Sequence, residues 1–279
     1  MVIPIFVNNL KEKENDLIRT YKELYKLGAL SNNIIRQDAT NVYKAQKLKH
    51  NYISWKAEEN IKHVLSTLLL PTWASVGCAI SHIKTWEYIK NVGLKYALIV
   101  EDDIKINDIN KFKYSLEECM RFLEDSNKYE NIFISLNSKT RNETISVFSE
   151  NIKNYYHQFT GTSCYFVNNS CANYLLNNLG QISYQIDIEI SRLFIKPLYN
   201  SIMKNNIAGI YKNSGIVNYD HISSVQYHFI TLQKLKNCIQ QSKFYLSTEI
   251  IEIIYQFLPN YNDIYINHYF YEASNYYYY

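Results

Sequence analysis

The chain has 279 residues, 47% of them hydrophobic, enough to bury one large core or two modest ones and too many for a disordered tail. Lys and Arg number 29 against 26 Asp and Glu, a formal charge of +3, too balanced for a dedicated nucleic-acid binder, so no nucleic-acid partner is expected. The five cysteines, Cys78, Cys119, Cys164, Cys171 and Cys238, are odd in number and form no Cys-x-x-Cys pair, which indicates neither a zinc ribbon nor a paired disulfide framework and fits a reducing compartment.

In chain order, Val2 to Val7 predicts a first strand, with Pro4 marking an early or edge position, and Asn15 to Leu27 predicts an amphipathic helix ending at Gly28. Asn33 to Arg36 predicts a short second strand, so the chain opens as an α/β fold on a parallel sheet. Glu58 to Leu70 predicts a helix stopped by Pro71. Thr72 to Gly77 reads as a turn region before a further helix that runs to about Asn91 and ends at Gly93. Tyr96 to Val100 (YALIV) has the unbroken apolar character of a strand buried on both faces, and Glu101, Asp102 and Asp103 follow it at once. Lys111 to Leu123 predicts a helix, Asn131 to Leu136 and Thr162 to Val167 predict strands, and Ser170 to Leu179 predicts a helix closed by Gly180. Tyr184 to Ile190 alternates polar and apolar residues, and periodicity leaves strand and helix start both open. Short strands near Ser201 and Gly209 precede a polar loop, Asn213 to Ser224; helices from about Val225 to Gln240 and Ser247 to Leu258 and a Tyr-rich tail close the chain.

The N-terminal apolar run has no basic residue ahead of it and is shorter than the apolar region of a secretory signal. Val64 to Leu70 and Ala97 to Val100, the longest other apolar stretches, fall far short of the roughly 18 residues of a membrane span. A cytoplasmic protein without a membrane span is therefore expected. The 27 tyrosines, with abundant Asn, Ile and Lys, match an A- and T-rich coding sequence and carry no functional argument. The isoleucine-rich helix Ser247 to Leu258 lacks the basic face of an interfacial helix and reads as core or subunit contact, which leaves a homodimer through the C-terminal helices open.

The strongest chemical signal is the carboxylate cluster after YALIV, because ligands of open α/β sheets sit outside the carboxyl ends of the strands. Three adjacent carboxylates repel one another unless a cation shares the site, and carboxylates with water suit Mg²⁺ or Mn²⁺. A solvated turn whose acids cap the next element is the plainer reading. His82 falls near a helix start, where anions are favoured, and equally in a packed stripe with Trp86 and Ile89. His221, in the polar loop, is either a late metal ligand or a solvent-exposed histidine.

Ser75 to Ile104, SVGCAISHIKTWEYIKNVGLKYALIVEDDI, resembles glycosyltransferase family 25, the lipooligosaccharide and collagen β-galactosyltransferase family. The matching residues are Gly77, Cys78, Ser81, His82, Trp86, Glu101, Asp102 and Asp103. Weaker likeness runs through VNNLKEKEND with Asn9, RQDATNV with Asp38, SCYFVNNSCANYLLNNL, and YQIDIEIS with Asp187, covering roughly the first 225 residues. The chain departs from the family pattern at Ser75, where an acidic residue is usual, and at Lys11 and Lys13, where an Arg is usual.

The resemblance implies an α/β fold of the GT-A glycosyltransferase type; within the chain a Rossmann-like nucleotide-binding half is expected to about residue 115, an acceptor half to about 245, and, beyond the stretch the likeness covers, a C-terminal helical extension from 246 to 279. It further implies a UDP-sugar donor, Mn²⁺ with Mg²⁺ as alternative, and inverting transfer of a hexose, galactose being expected, to a hydroxyl of a glycan or glycoprotein acceptor. Asn9, Asp38, Gly77, Ser81, His82, Glu101 and Asp102 would line the donor site, and Asp103 with Glu101 and His221 would hold the metal. Inversion needs a base within about 3 Å of the acceptor hydroxyl. Asp187 is the first candidate and Glu189 the second, since alternation in a strand would put both on one face; the other reading of the pair is a charged helix start. The rival from another class is a non-catalytic sugar- or nucleotide-binding scaffold with the same fold.

Overall fold

The computed structural model describes residues 3–29, 31–63, 69–125, 130–137, 146–147, 151–154, 161–195, 206–211 and 214–218. All of them fall in the compact unit Met1–Phe229. His221, the stretch near Ser201, the expected C-terminal helices and the Tyr-rich tail lie outside the described residues.

The N-terminal half alternates strand and helix: β1 (Ile5–Asn9), α1 (Glu14–Lys26), β2 (Ile34–Asp38), α2 (Val42–Tyr52), α3 (Trp55–His63), α4 (Trp73–Val92) and β3 (Tyr96–Glu101). A short strand β4 (Ile104–Ile106), α5 (Ile109–Asp125), and strands β5 (Asn131–Ser135), β6 (Ser146–Val147), β7 (Ile152–Asn154) and β8 (Cys164–Asn168) follow. Helices α6 (Asn169–Asn178) and α7 (Ile186–Ile195) and strands β9 (Asn206–Tyr211) and β10 (Ile216–Asn218) complete the described chain.

Eight strands form one mixed sheet in the order β2-β1-β3-β8-β5-β9-β7-β6. β1 runs parallel to both β2 and β3, whereas β8 is antiparallel to β3 and to β5. The carboxyl ends of β1, β2, β3 and β5 therefore share one edge with the start of β8. Alternation along the strands divides the core. Phe6, Ile99, Phe133 and Tyr165 pack with residues of α2, α3, α4, α6 and α7 on one face. Val7, Val100, Ile134 and Phe166 pack with residues of α1 and α5 on the other.

Local chemistry sets the elements that frame this edge. Thr72 caps α4 in a reciprocal box with Ser75, satisfying backbone donors that the first turn leaves open. The expected turn at Thr72 to Gly77 is therefore corrected: these residues are the cap and first turns of α4. Asn168 ends β8, accepts from Cys171 N to start α6, and also accepts from Ile132 N at 3.1 Å, tying α6 to β5. The expected helix over Glu58 to Leu70 starts earlier, at Trp55, and does not include Leu69 and Leu70. Leu69 bridges Tyr184, and Leu70 N donates to Ser183 O at 3.0 Å, so these leucines serve the linker before α7. Pro4 marks an early position and not an edge, since β1 lies between β2 and β3 and Pro4 O accepts from Leu98 N at 3.0 Å. Within the expected polar loop Asn213 to Ser224, Ile216–Asn218 forms β10, antiparallel to β4.

Among the described residues no helix is long and apolar enough to cross a membrane.

Candidate active site

β3 is fully buried from Ala97 to Val100 and emerges at Glu101. The three carboxylates thus leave the sheet at the edge where β1 also ends, with Asn8 in register with Glu101 and Asn9 with Asp38. Each is held differently. Asn9 Nδ2 donates to Asp102 Oδ2 at 2.7 Å, and Thr20 Oγ1 of α1 donates to Asp102 O at 2.9 Å. Glu101 Oε1 accepts from Thr162 Oγ1 at 3.1 Å and lies 3.2 Å from His82 Nε2. Burial, followed by the charges of Glu101 and Asp102, pushes the Asp103 carboxyl up to about 7. Burial also raises Asp102, against the Asn9 hydrogen bond and Lys13, which lower it.

α4 forms the next wall. His82 is buried, and one tautomer satisfies each of its contacts. Trp86 Nε1 donates to Tyr165 Oη at 2.9 Å, Tyr165 O–H donates to His82 Nδ1 at 2.9 Å, and His82 Nε2–H points to Glu101. Asn8 Nδ2 lies 3.4 Å from the same Nδ1, and its Oδ1 accepts from Thr85 Oγ1 at 2.8 Å. His82 thus belongs to a packed stripe with Trp86 and Ile89, both fully buried, and at the same time steers Glu101. Ser81 Oγ donates to Gly77 O at 2.7 Å and accepts from Thr40 N at 2.8 Å, locking the segment after β2 onto α4. That approach is why position 77 is glycine: a Cβ there would sit 2.2 Å from Thr40 O. Cys78, partly exposed, presents its Sγ within 4.8 Å of ligand atoms of His82 and Glu101.

α7 brings the last carboxylate. Asp187 Oδ2 accepts from Gly161 N at 2.9 Å and Oδ1 from its neighbour Ile188 N at 2.8 Å. Loss of hydration, the largest influence, raises its pKa above the usual carboxylate range; the two N–H donors oppose this and the Glu101 charge adds to it. Gly161 adopts φ +98°, and a Cβ there would meet Asn137 O at 2.9 Å. Its neighbours join the two carboxylates, since Thr162 reaches Glu101 and Ser163 O accepts from Glu101 N at 2.8 Å. The strand that would have placed Asp187 and Glu189 on one face is corrected to a helix start. Residues two apart on a helix diverge by about 200°, and Glu189 Oε1 instead accepts from Ser183 N at 2.8 Å and Tyr184 N at 3.0 Å.

One edge of the sheet therefore collects Asn9, Gly77, Ser81, His82, Glu101, Asp102, Asp103 and Asp187. Asp38 ends β2 with its side chain exposed and 3.4 Å from Arg36, while Glu189 faces its own helix start. Tyr165, Thr162, Gly161 and Asn8 complete the site; Tyr165 and Asn8 lie in segments that carry the family likeness, but their contacts are not local, since Tyr165 is 83 residues from His82 and pairing of β3 with β8 brings them together. The donor set suits a hard divalent cation. Adjacent carboxylates crowd one desolvated turn, and a cation there would offset the burial and the like charges that raise Asp103.

In an open α/β sheet ligands bind outside the carboxyl ends of the strands, the edge where these carboxylates gather. The sequence model of glycosyltransferase family 25, described as an LPS biosynthesis protein family, matches residues 2–190. The chain belongs to glycosyltransferase family 25, and the match spans every part of the site just described. No curated protein matches the chain.

Proposed function

We propose that the chain is an inverting, metal-dependent hexosyltransferase of GT-A type that transfers a hexose, galactose first among the candidates, from a UDP-sugar to a hydroxyl of a glycan or glycoprotein. The observation that carries this reading is the meeting of Asp187 with the Glu101, Asp102 and Asp103 turn across the Gly161-Thr162-Ser163 bridge. An inverting transfer needs a proton acceptor on one side of the anomeric carbon and charge neutralisation on the other. Asp187 supplies the first. A carboxyl lifted above its usual range by burial is a better base near neutral pH than an exposed one, and two backbone donors hold it fixed.

In the proposed step the acceptor hydroxyl gives its proton to Asp187 while its oxygen bonds the anomeric carbon. The bond from that carbon to the pyrophosphate oxygen breaks, and UDP leaves with the electron pair. Asp103, with Glu101 and His221, would hold the divalent cation, which when bound supplies positive charge at the leaving pyrophosphate. His221 is supported by β10: Asn218 pairs with Ile104, the residue after Asp103. Three residues of chain span at most about 10 Å, so His221 can reach the cluster. Asn9 orients Asp102, His82 and Thr162 orient Glu101, and Ser81 with Gly77 holds the Thr40 segment that would border the nucleotide.

The test is steady-state kinetics on single variants. Asp187→Asn should lower kcat by about 10²-fold or more with UDP affinity near wild type. Glu189→Gln should act mainly on stability. His221→Ala should raise the Mn²⁺ concentration needed for half-maximal rate. A collapse of UDP binding in Asp187→Asn would move Asp187 from acceptor base to donor contact.

A further inference from the structure

The carboxylate turn does not use every ligand atom at this edge of the sheet. Cys78 and His82 stand one helical turn apart on α4, so their side chains share a face of that helix. Glu101 meets them from the end of β3, and the three ligand atoms lie within 4.8 Å of one another. Three protein ligands of this kind, on a helix and a strand end, match the ligand number of an open zinc site, whose fourth position is taken by water or substrate.

We infer that Cys78, His82 and Glu101 form a second, thiophilic metal site that takes Zn²⁺ or Co²⁺ in preference to Mn²⁺. The preference follows from the ligands. Thiolate and imidazole donors favour zinc and cobalt, and affinity rises from Mn²⁺ through Co²⁺, whereas carboxylates and water serve Mg²⁺ and Mn²⁺. The surroundings also favour a cation, because the charges of Glu101, Asp187, Asp103 and Asp102 all act at the Cys78 thiol. Coordination takes the place of the thiol proton, since only the thiolate ligates a metal. His82 can bind through Nε2 once its ring proton sits on Nδ1, where Tyr165 Oη, 2.9 Å away, accepts it. Cys78 and Glu101 are both partly exposed, which gives the ion a way in. Because Glu101 belongs to both donor sets, zinc at this site withdraws a ligand from the carboxylate turn.

The inference goes beyond the transfer reading, since binding needs neither donor nor acceptor. The experiment is a titration of the reduced, metal-free full chain with Co²⁺, followed in the near-ultraviolet for the thiolate-to-cobalt charge-transfer band, which oxygen ligands do not produce. The band should saturate at one equivalent of Co²⁺, vanish when Zn²⁺ is added, and be missing in Cys78→Ala. Glu101→Gln should bind Co²⁺ at least tenfold more weakly. Saturating Zn²⁺ should also protect Cys78 of the unmutated chain from alkylation, read by peptide mass, which needs no variant to fold. Absence of the band in the wild-type chain, its persistence in folded Cys78→Ala, or alkylation of Cys78 at the same rate with and without Zn²⁺ would overturn the inference.

Discussion

At the scale of single residues, Gly77 shows how closely the site wall is built. Alanine inside a helix normally gains about 1 kcal/mol over glycine. Here the added methyl would lie 2.2 Å from Thr40 O, a backbone atom that cannot swing aside. Overpacking of that kind costs about 1–3 kcal/mol, and the hydrogen bond from Thr40 N to Ser81 Oγ goes with it. Gly77→Ala should therefore lower stability by a net amount on the order of 1–2 kcal/mol, read as a shift of the urea midpoint at unchanged slope. A midpoint equal to or above that of the wild type would mean that the Thr40 segment yields and that α4 does not position it. Glycine in this motif was visible in the sequence; its reason was not, because the clashing partner lies in the connection after β2, 37 residues earlier.

At the scale of elements, the helices before α4 are joined by a partly buried ion pair. Lys49 Nζ of α2 lies 2.5 Å from Glu58 Oε1 of α3, and the same ammonium sits 6.0 Å from the Trp73 ring at the start of α4. The hydrogen bond to Lys49 is the largest influence on Glu58 and holds its pKa below the usual carboxylate value. A folded-state pKa below the unfolded one means that the unfolded chain binds more protons, so stability rises with pH across that window. The contribution is complete above the ordinary glutamate range and fades as pH falls through it toward the folded value. Lys49→Met should remove about 0.5–1 kcal/mol near neutral pH and much less in acid, so its urea midpoint should converge with that of the wild type as pH falls. An equal loss at all pH values would assign the effect to packing on Trp73.

Most of the site-bearing elements could be read from pattern alone: β1, α1, β2, β3, α5, β5, β8 and α6 stand where apolar runs, Gly stops and helical periodicity put them. What escaped did so for identifiable reasons. α7 alternates because Ile186, Ile188 and Ile190 are all buried, on a helix enclosed on more than one side, so a period of two arises without a strand. α2 has only Ala45 fully buried and offers little amphipathic signal. β4, β6, β7 and β10 are two or three residues long, too short to show a period.

At the scale of the whole molecule, the family match over residues 2–190 covers the whole sheet edge at which the carboxylates gather. The Glu101-Asp102-Asp103 turn was legible because a buried strand that ends in carboxylates points to the functional edge of an α/β sheet. The contact of Asp187 with Gly161 and the bridge through Thr162 to Glu101 were not, since they span 26 and 61 residues and depend on the completed sheet. The central claim is that this edge binds a nucleotide-sugar and activates its leaving group. It is tested most directly by UDP release from a panel of UDP-hexoses with Mn²⁺ and no acceptor, comparing the wild-type chain with Asp103→Asn. The account predicts slow hydrolysis of one UDP-hexose by the wild type and none above background by Asp103→Asn, which should fold at least as firmly because it removes a desolvated charge. Equal UDP release by both proteins would contradict it, as would no binding or turnover of any nucleotide-sugar by the folded wild-type chain.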